Sequence, residues 1–198
     1  MKRIGLLGGS FNPVHNGHLK LAREAMAELN LDRVIFVPSY LTPLKNSGPL
    51  LPPGLRVRLL RIALKHCSRF SISLCEMRRR GVSYTVDTLK FFRRKFGRGA
   101  VLYFLTGADA LKNFARWKSP RQILKLCRPV AVTRPGYTLE KVPQGVLRLP
   151  MTPFSVSSSD IRRRLKKNGS IRSLVPRGTE TILKKYFNRH QGEKNRRS

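Results

Sequence analysis

The sequence predicts an α/β domain built on a parallel sheet with helices on both faces, and two observations lead to this prediction. Short apolar runs rich in Val, Ile, Leu and Phe recur along the chain, each bounded by residues that end strands. They lie at 4–7, 34–37, 70–74, 101–105 and 130–132. The stretches between them carry apolar residues at helical spacing. Nearly continuous apolar strands alternating with amphipathic helices indicate a Rossmann-like, doubly wound parallel sheet.

The helical segments follow from the spacing of their apolar residues. Apolar positions three or four residues apart predict helices over 19–29, 57–67 and 86–96. Two more are predicted near the end, at 159–167 with Asn168 and Gly169 as its stop, and at 179–187 after Pro176. These last two form a small C-terminal helical appendage to the sheet. The Pro- and Gly-rich stretch 38–54 is predicted to be a long loop, and such loops are often functional.

A chain of 198 residues suffices for one domain with a full core. We expect a single domain over 1–187 and a basic, disordered tail over 188–198, because the tail has almost no apolar residues. The short, interrupted apolar runs argue against a membrane span. The N-terminus has two basic residues and too few apolar ones for a secretory signal, so a cytoplasmic location is expected.

Charge is the anomaly of the composition. The 41 Lys and Arg residues against 10 Asp and Glu residues give a formal net charge of +31. A field of that size attracts polyanions, so non-specific nucleic-acid binding through the basic surface is expected. The cysteines, Cys67, Cys75 and Cys127, match no zinc-binding spacing and are predicted to be buried free thiols. The sequence leaves the oligomeric state open.

A strand, a glycine turn and a helix start follow one another over 4–19. Glycine lets the main chain approach a phosphate closely, and the free N–H groups and the dipole of a helix start favour negative charge. An anion site is therefore predicted at this turn. Its candidate phosphate-binding residues are Gly8, Gly9, Ser10, Phe11, His15 and His18.

The two histidines, His15 and His18, lie three residues apart across that helix start. Both can donate hydrogen bonds to phosphoryl oxygens as negative charge grows in a transition state, so both are catalytic candidates. The alternative is that they cap or pack the helix, and for a histidine on its own that interpretation would be preferred. The adjacent glycine turn favours the phosphate.

A second candidate phosphate site lies near the end of the sequence, at Ser157-Ser158-Ser159-Asp160-Ile161-Arg162. Serine is a favoured helix cap, and Ser157 with Asp160 has the spacing of a capping box. The same helix start offers hydroxyl and amide donors to a phosphate, and Arg162, one turn further on, can form bidentate hydrogen bonds with its oxygens. Capping and phosphate binding can hold together.

Both segments resemble motifs of the nucleotidyltransferase superfamily. The segment 9–18 fits the pattern Gly-x-Phe-x-Pro-x-His-x-Gly-His, and 156–162 is similar to Ile-Ser-Ser-Thr-x-Ile-Arg, with Val156 for the first Ile and Ser159 for Thr. The resemblance implies that the candidate residues of the glycine turn bind ATP, that Ser158, Ser159 and Arg162 hold its phosphates, and that Arg162 acts catalytically on the leaving pyrophosphate. Class I aminoacyl-tRNA synthetases have a related His-x-Gly-His signature, but their cores are larger and their lysine-rich motif is missing here.

Three further blocks resemble the nicotinate-nucleotide adenylyltransferases, at 83–89, at 106–110 with Trp117 downstream, and at 133–137. The resemblance implies that nicotinate mononucleotide is bound by Lys45, Tyr84, Thr85, Asp109, Trp117 and Arg134. Plainer roles stay open: Thr85 with Tyr84 or Asp109 could cap a helix, Trp117 could pack in the core, and Arg134 could lie on the surface.

One block departs from that family's pattern. The long loop reads Thr42-Pro43-Leu44-Lys45, where members commonly have Pro-Pro-His-Lys. Leu44 can neither donate a hydrogen bond nor titrate, so whatever the usual histidine contributes is absent or supplied elsewhere. This departure concerns substrate affinity more than the type of reaction.

The resemblance implies adenylyl transfer, in which the phosphate of nicotinate mononucleotide attacks the α-phosphorus of ATP in line and pyrophosphate leaves. The sequence offers no cluster of carboxylates as a metal cage, so Mg²⁺ is expected to arrive bound by ATP oxygens and water. Two alternatives stay open. One is an adenylyltransferase for the amide substrate, nicotinamide mononucleotide. The other is an RNA- or ribosome-binding protein on the same fold, for which the +31 charge would be the working feature.

Overall fold

The computed structural model describes residues 1–42, 51–111, 113–133, 143–152 and 155–195. Its strands are β1 (Lys2–Gly9), β2 (Arg33–Pro38), β3 (Phe70–Ile72), β4 (Ala100–Gly107), β5 (Arg128–Thr133) and β6 (Leu147–Pro150). They form a six-stranded sheet in the order β3-β2-β1-β4-β5-β6, and every neighbouring pair is parallel. This strand order is that of a doubly wound sheet, so the predicted fold class is confirmed.

The helices of the described residues are α1 (Asn16–Glu28), α2 (Pro53–Leu64), α3 (Cys75–Arg79), α4 (Thr85–Phe96), α5 (Ala108–Leu111), α6 (Pro120–Leu126), α7 (Ser158–Lys166) and α8 (Glu180–Asn195), with a 3₁₀ turn at Phe114–Arg116. Helices α1, α2, α7 and α8 pack on one face of the sheet, and α4, α5 and α6 pack on the other. Within the described ranges, no helix combines the length and the apolar character that a membrane span requires.

Two apolar layers hold the helices to the sheet. Successive side chains of a strand point to opposite faces, so Leu6 lies in the layer of α4 while Leu7 lies in the layer of α1. Leu60 of α2 and Phe92 of α4 are fully buried in these two layers. Burying each such side chain stabilises the fold by about 1.5–3 kcal/mol relative to leaving it exposed.

Several short elements differ from the prediction. Strand β6 was not predicted, because only one of its four side chains, that of Leu149, is buried. Helices α3 and α6 were not predicted, because neither is long enough to show a helical period in its apolar residues. The predicted end of the last helix at Phe187 is wrong, since α8 continues to Asn195 with no proline to stop it. The helix therefore takes up most of the segment 188–198, for which the sequence predicted disorder.

The cysteines are free, but only one of them is buried as predicted. Cys127 lies in the core beneath α6, and burial raises the pKa of its thiol to about 12. Cys67 and Cys75 are half-buried, since Cys67 lies in the surface turn after α2 and Cys75 opens the short helix α3. The expectation of burial is therefore wrong for these two.

Candidate active site

The two central strands, β1 and β4, are parallel neighbours, and the chain leaves both at the same edge of the sheet. On either side of this pair the strand order runs in opposite directions, which is where ligands bind in doubly wound folds. The segment 10–15, called here the phosphate loop, joins β1 to α1. It turns sharply, with Phe11 at φ 46° and a cis peptide bond between Asn12 and Pro13.

Gly8 and Gly9 end β1 where side chains crowd the main chain. A Cβ on Gly8 would lie 3.1 Å from the ring of Phe104, and one on Gly9 would lie 3.4 Å from the ring of Phe11. The first distance is tighter than ordinary van der Waals contact, so glycine is needed there for packing. Its absent side chain also leaves the main chain open to a close ligand.

The two histidines lie together at the start of α1, where the ring of His18 caps the backbone N–H of His15, the plainer role that the sequence left open. His15 stands at the N-cap position of α1 and is buried, while His18 in the first turn is half-buried. Their ring centroids are 3.7 Å apart, and the edge of Phe11 meets the ring of His18 at 4.9 Å. The backbone N–H of His15 donates to Nδ1 of His18 at 3.2 Å. Because Nδ1 accepts this bond, the neutral ring carries its proton on Nε2 and donates from that atom.

The second motif is held directly on the first. The hydroxyl of Ser157 accepts a hydrogen bond from the N–H of Asp160 at 3.0 Å, which confirms the predicted helix cap. The hydroxyl of Ser158 donates to the carbonyl oxygen of Pro13 at 2.9 Å. Arg162 donates from Nη1 to the carbonyl oxygen of Asn12 at 2.7 Å. Two segments at opposite ends of the sequence therefore build one site.

The three candidate phosphate ligands of α7 differ in what their side chains already do. The hydroxyl proton of Ser158 is used by Pro13, so this residue mainly ties α7 to the phosphate loop. Ser159 is exposed, and its hydroxyl accepts from Nη2 of Arg162 at 3.2 Å, which leaves its own proton to be donated. Burial lowers the pKa of Arg162, but an arginine starts so high that it stays charged.

The packing also explains the glycine of the His-x-Gly-His segment. A Cβ on Gly17 would lie 2.8 Å from Cγ1 of Val156 and 3.1 Å from Nδ1 of His15. Val156 directly precedes the cap of α7, and it is buried. Any larger residue at 17 would push α7 away from α1, so Gly17 sets the distance between the two motifs.

A buried arginine that the sequence analysis missed supports the phosphate loop from below. Arg56 of α2 is 1% exposed, and it donates to the carbonyl oxygens of Ser10 at 2.7 Å, Ser39 at 2.8 Å, Leu51 at 3.0 Å and Tyr40 at 3.4 Å. Burial lowers the pKa of its guanidinium. One cation thus joins the loops that follow β1 and β2. Its position four residues before Leu60, on the apolar face of α2, was the signal in the sequence.

The block at 83–88 lies at the start of α4. Tyr84 occupies the N-cap position without a side-chain cap bond, and Thr85 is the first helical residue, so the capping alternative for this pair is wrong. The ammonium of Lys118 lies 4.5 Å above the ring of Tyr84 and 3.7 Å from the carboxylate of Asp87. The chain before Tyr84 is anchored by Ser83, whose hydroxyl accepts the N–H of Tyr40 at 3.0 Å.

A second residue that the sequence analysis missed, Glu76 of α3, binds the segment 83–88 from the interior of the protein. Its carboxyl group is buried, and the hydroxyls of Thr88 and Ser83 donate to it. Burial raises the pKa of Glu76, and these two hydrogen bonds oppose that rise only in part. A single glutamate in an arginine-rich segment gives little sign of burial, so the sequence alone offered no clear signal.

The remaining candidates for the pyridine nucleotide lie along β4 and beyond. Trp117 packs its half-buried ring against Phe104 at 6.1 Å and Phe114 at 5.5 Å, and its Nε1 has no hydrogen-bond partner among the described residues. Core packing, the plainer role, therefore holds for much of this ring. Asp109 lies in α5, directly after β4. The predicted ligands Lys45 and Arg134, and also Leu44, lie outside the described residues.

The chemistry of the assembled site suits an anion. Imidazole N–H groups, a serine hydroxyl, a guanidinium and a helix start converge at the phosphate loop, and all of them donate hydrogen bonds. In the described part of the chain, no group of three or more His, Cys, Asp or Glu side chains is arranged to hold a metal ion.

Comparison with known proteins identifies relatives of this chain. A family model described as cytidylyltransferase-like matches residues 6–164. The probable nicotinate-nucleotide adenylyltransferase of Thermus thermophilus is 44% identical over 184 residues, covering 93% of this chain and 97% of the relative. The protein of the same name from Clostridium beijerinckii is 36% identical over 199 residues, covering 93% and 98%.

The fold also matches solved structures. The nicotinic acid mononucleotide adenylyltransferase of Plasmodium falciparum, complexed with NaAD, aligns with a TM-score of 0.75 at 21% identity, over 94% of this chain and 96% of that one. At that identity the likeness concerns the fold. The family model spans residues 6–164, which include both phosphate motifs, and the Thermus thermophilus relative covers 93% of the chain. The chain therefore belongs to the cytidylyltransferase-like family and, within it, to the nicotinate-nucleotide adenylyltransferases.

Proposed function

We propose that this protein transfers AMP from ATP to nicotinate mononucleotide, releasing pyrophosphate and forming deamido-NAD. The observation that supports this function best is the union of the two phosphate motifs, in which Arg162 and Ser158 of α7 bind the carbonyls of the phosphate loop. These bonds hold the guanidinium of Arg162 and the start of α7 against the loop that leads into the start of α1. Such a set of donors suits a chain of phosphates that gains charge during transfer.

In the proposed reaction, a phosphate oxygen of nicotinate mononucleotide forms a bond with the α-phosphorus of ATP while the bond from that phosphorus to the bridging oxygen breaks. His18 donates from Nε2 to the α-phosphate, because its Nδ1 is occupied by the N–H of His15. His15 supports the ring of His18 from 3.7 Å and adds a second imidazole at the same phosphate. Arg162 and Ser159 stabilise the leaving pyrophosphate. Positioning and charge stabilisation carry the step, with no covalent intermediate.

Mg²⁺ is proposed to enter with ATP. The described residues around the phosphate loop are hydrogen-bond donors, which bind phosphate oxygens and not a cation. When bound, the ion would neutralise the β- and γ-phosphates and favour the departure of pyrophosphate.

The pyridine nucleotide is proposed to lie on the side of the site formed by the starts of α4 and α5. Tyr84, Thr85, Asp109 and Trp117 are carried there by elements that leave the same edge of the sheet as β1. The Nε1 of Trp117, which has no partner among the described residues, and main-chain N–H groups are hydrogen-bond donors, to which a carboxylate offers two acceptor oxygens and a carboxamide only one. We therefore propose nicotinate as the preferred ring. Lys45 and Arg134 remain proposals from the family motif.

The proposed reaction uses ATP and a free mononucleotide, so we propose the cytoplasm as its place. The nucleic-acid binding that the net charge favours needs no part of this site.

The test is pyrophosphate release by the purified protein, freed of nucleic acid, with Mg-ATP and either nicotinate or nicotinamide mononucleotide. Strong preference for the nicotinate substrate is expected. Preference for the amide would assign nicotinamide mononucleotide as the substrate. No pyrophosphate release with either mononucleotide would favour the RNA-binding alternative.

The same assay tests the role of His18. His18→Ala should lower kcat by roughly 10²–10³ with a small change in KM for ATP, since the lost donor acts mainly in the transition state. His66→Ala is the matched control, because His66 is an exposed histidine after α2. An unchanged kcat in His18→Ala, with the fold intact by circular dichroism, would contradict the assignment.

A further inference from the structure

A second concave surface lies on the face of the sheet that carries α4. It is a groove of about 880 Å³ bounded by β2, β3, α3 and α4. It runs from Asp87 near the start of α4 to Phe96 at its last residue, and it reaches Arg33 at the first residue of β2. Since α4 runs against the strands, the groove leads away from the edge that holds the phosphate loop. None of the residues of the two phosphate motifs lines it.

The lining of the groove is strongly basic. Its exposed cations are Arg33, Arg78, Arg79, Lys90, Arg94 and Lys95. No ion pair joins any of these six to an acidic side chain of the described chain. The one carboxylate of the lining, Asp87, forms an ion pair with Lys118, which lies outside the groove. Glu76 interacts electrostatically with Arg79, but it is buried and does not line the groove. The positive charge of the groove is therefore uncompensated within the described part of the protein.

The groove also has an aromatic wall. Phe91 and Phe96 line it and are half-buried, so part of each ring reaches the groove. Phe92 behind them stacks on Phe96 at 6.0 Å and meets Phe91 edge-on at 5.1 Å, which fixes both rings. Lys90 and Arg94 follow one another at one helical turn of α4, and the ammonium of Lys95 lies 5.8 Å from the centroid of the Phe96 ring. Cations that alternate with aromatic faces are what single-stranded nucleic acids bind, through phosphates and stacked bases.

We propose that this groove binds single-stranded nucleic acid. Its volume is that of a pocket for one ligand of moderate size, so it takes a short run of nucleotides and excludes a duplex. Its concave shape keeps a flat lipid surface away from the charges. An acidic peptide could satisfy the cations, but it would leave the two rings without a stacking partner. The groove localises the attraction for polyanions that the net charge of +31 creates over the whole protein.

The experiment compares two triple variants that remove the same charge from opposite faces of the sheet. The groove variant is Arg78→Gln, Lys90→Gln and Arg94→Gln. The control variant is Arg58→Gln, Arg61→Gln and Lys65→Gln, whose side chains are exposed at and just beyond α2 on the other face. Binding of a fluorescent oligouridylate is followed by anisotropy over a series of salt concentrations, and adenylyl transfer is assayed in parallel.

The groove variant should bind the oligonucleotide about ten- to a hundredfold more weakly near 0.1 M salt, and its slope of log K against log salt should fall by about 2, since each phosphate contact contributes about 0.7. The control should keep the slope, and both variants should keep kcat and KM. Equal losses in the two variants would overturn the groove, because binding would then be spread over the surface. Loss of kcat in the groove variant alone would make the groove part of the active site.

A third variant tests whether the bases of the oligonucleotide stack on Phe91. Phe91→Leu should weaken the oligonucleotide several-fold and leave the binding of inorganic polyphosphate unchanged, because only the former stacks on the ring. The melting temperature of Phe91→Leu reports whether the fold is retained. Polyphosphate or polyglutamate bound as tightly as the oligonucleotide, with no effect of Phe91→Leu, would overturn nucleic acid as the ligand.

Discussion

The buried arginine of α2 offers the sharpest test of how the fold supports the site. Arg56→Met keeps an unbranched side chain of similar length and removes every donor. Three main-chain carbonyls, of Ser10, Ser39 and Leu51, then lose hydrogen bonds of 2.7–3.0 Å in the interior. A buried carbonyl left without a donor costs about 1–3 kcal/mol, and the variant no longer has to desolvate a guanidinium, so the net loss should be about 2–4 kcal/mol.

That loss is a large part of the 5–15 kcal/mol by which domains of this kind are stable, and it corresponds to a melting temperature lower by roughly 5–15 °C. Arg56→Lys keeps the charge and some of the donors, so it should lose about half as much and remain folded. Arg58→Met on the same helix is the control, because Arg58 is exposed and its removal should cost less than about 0.5 kcal/mol. Urea unfolding followed by circular dichroism measures all three.

Arg56→Lys also separates support of the site from general stability. Because Arg56 binds the carbonyl of Ser10, its loss should displace the phosphate loop and raise KM for ATP in protein that is fully folded. A merely structural role would lower the folded fraction and leave KM unchanged. The reasoning would be refuted if Arg56→Met were as stable as Arg58→Met, or if Arg56→Lys kept the KM of the unaltered protein.

Three further changes probe other contacts. Gly17→Ala should lower stability by about 1–3 kcal/mol in urea unfolding, because its Cβ would lie 2.8 Å from Val156, whereas Gly54→Ala, with nothing within 4 Å, should not. Burial raises the pKa of Glu76 above its ordinary value of 4.5, so above that pH the native state still binds a proton that the unfolded chain has lost. The free energy of unfolding should therefore fall as the pH rises from 4.5 through the raised pKa of the native state. Glu76→Gln should flatten the accompanying fall in melting temperature. Iodoacetamide should leave Cys127 unlabelled in the native protein, by mass mapping, because burial raises its pKa to about 12.

The sequence predicted those parts of the fold whose local pattern of apolar residues indicates how they are buried. Strands β1, β2, β4 and β5 are buried on both faces and therefore read as continuous apolar runs. Strand β6 lies at the edge of the sheet with one buried residue, so its sequence resembles a loop. The end of α8 was misplaced because charged residues are compatible with both a helix and a disordered tail.

The candidate site likewise contains residues that the sequence revealed and residues that it did not. His15 and His18 were recognisable because they lie within one helical turn of each other. Arg56 was missed although its spacing from Leu60 puts it on the apolar face of α2, because this helix carries several arginines and only the carbonyls that converge from three separate segments distinguish the buried one. The packing of Gly17 against Val156 and the hydrogen bond from Ser158 to Pro13 were hidden for the same reason, since each joins segments that lie far apart in the sequence.

These long-range contacts bear on how the phosphate loop is prepared for a ligand. The carbonyl of Ser10 is held by Arg56 and that of Pro13 by Ser158, so both point into the protein. In a planar trans peptide the N–H points opposite to the carbonyl, and the amides of Phe11 and Val14 are therefore turned toward the other side of the loop. A loop fixed in this way presents positive ends of its peptide dipoles without reorganising when a phosphate arrives. The donors that stabilise the fold thus also set the electrostatics of the site, which is why a buried arginine remote from the reacting atoms should change KM.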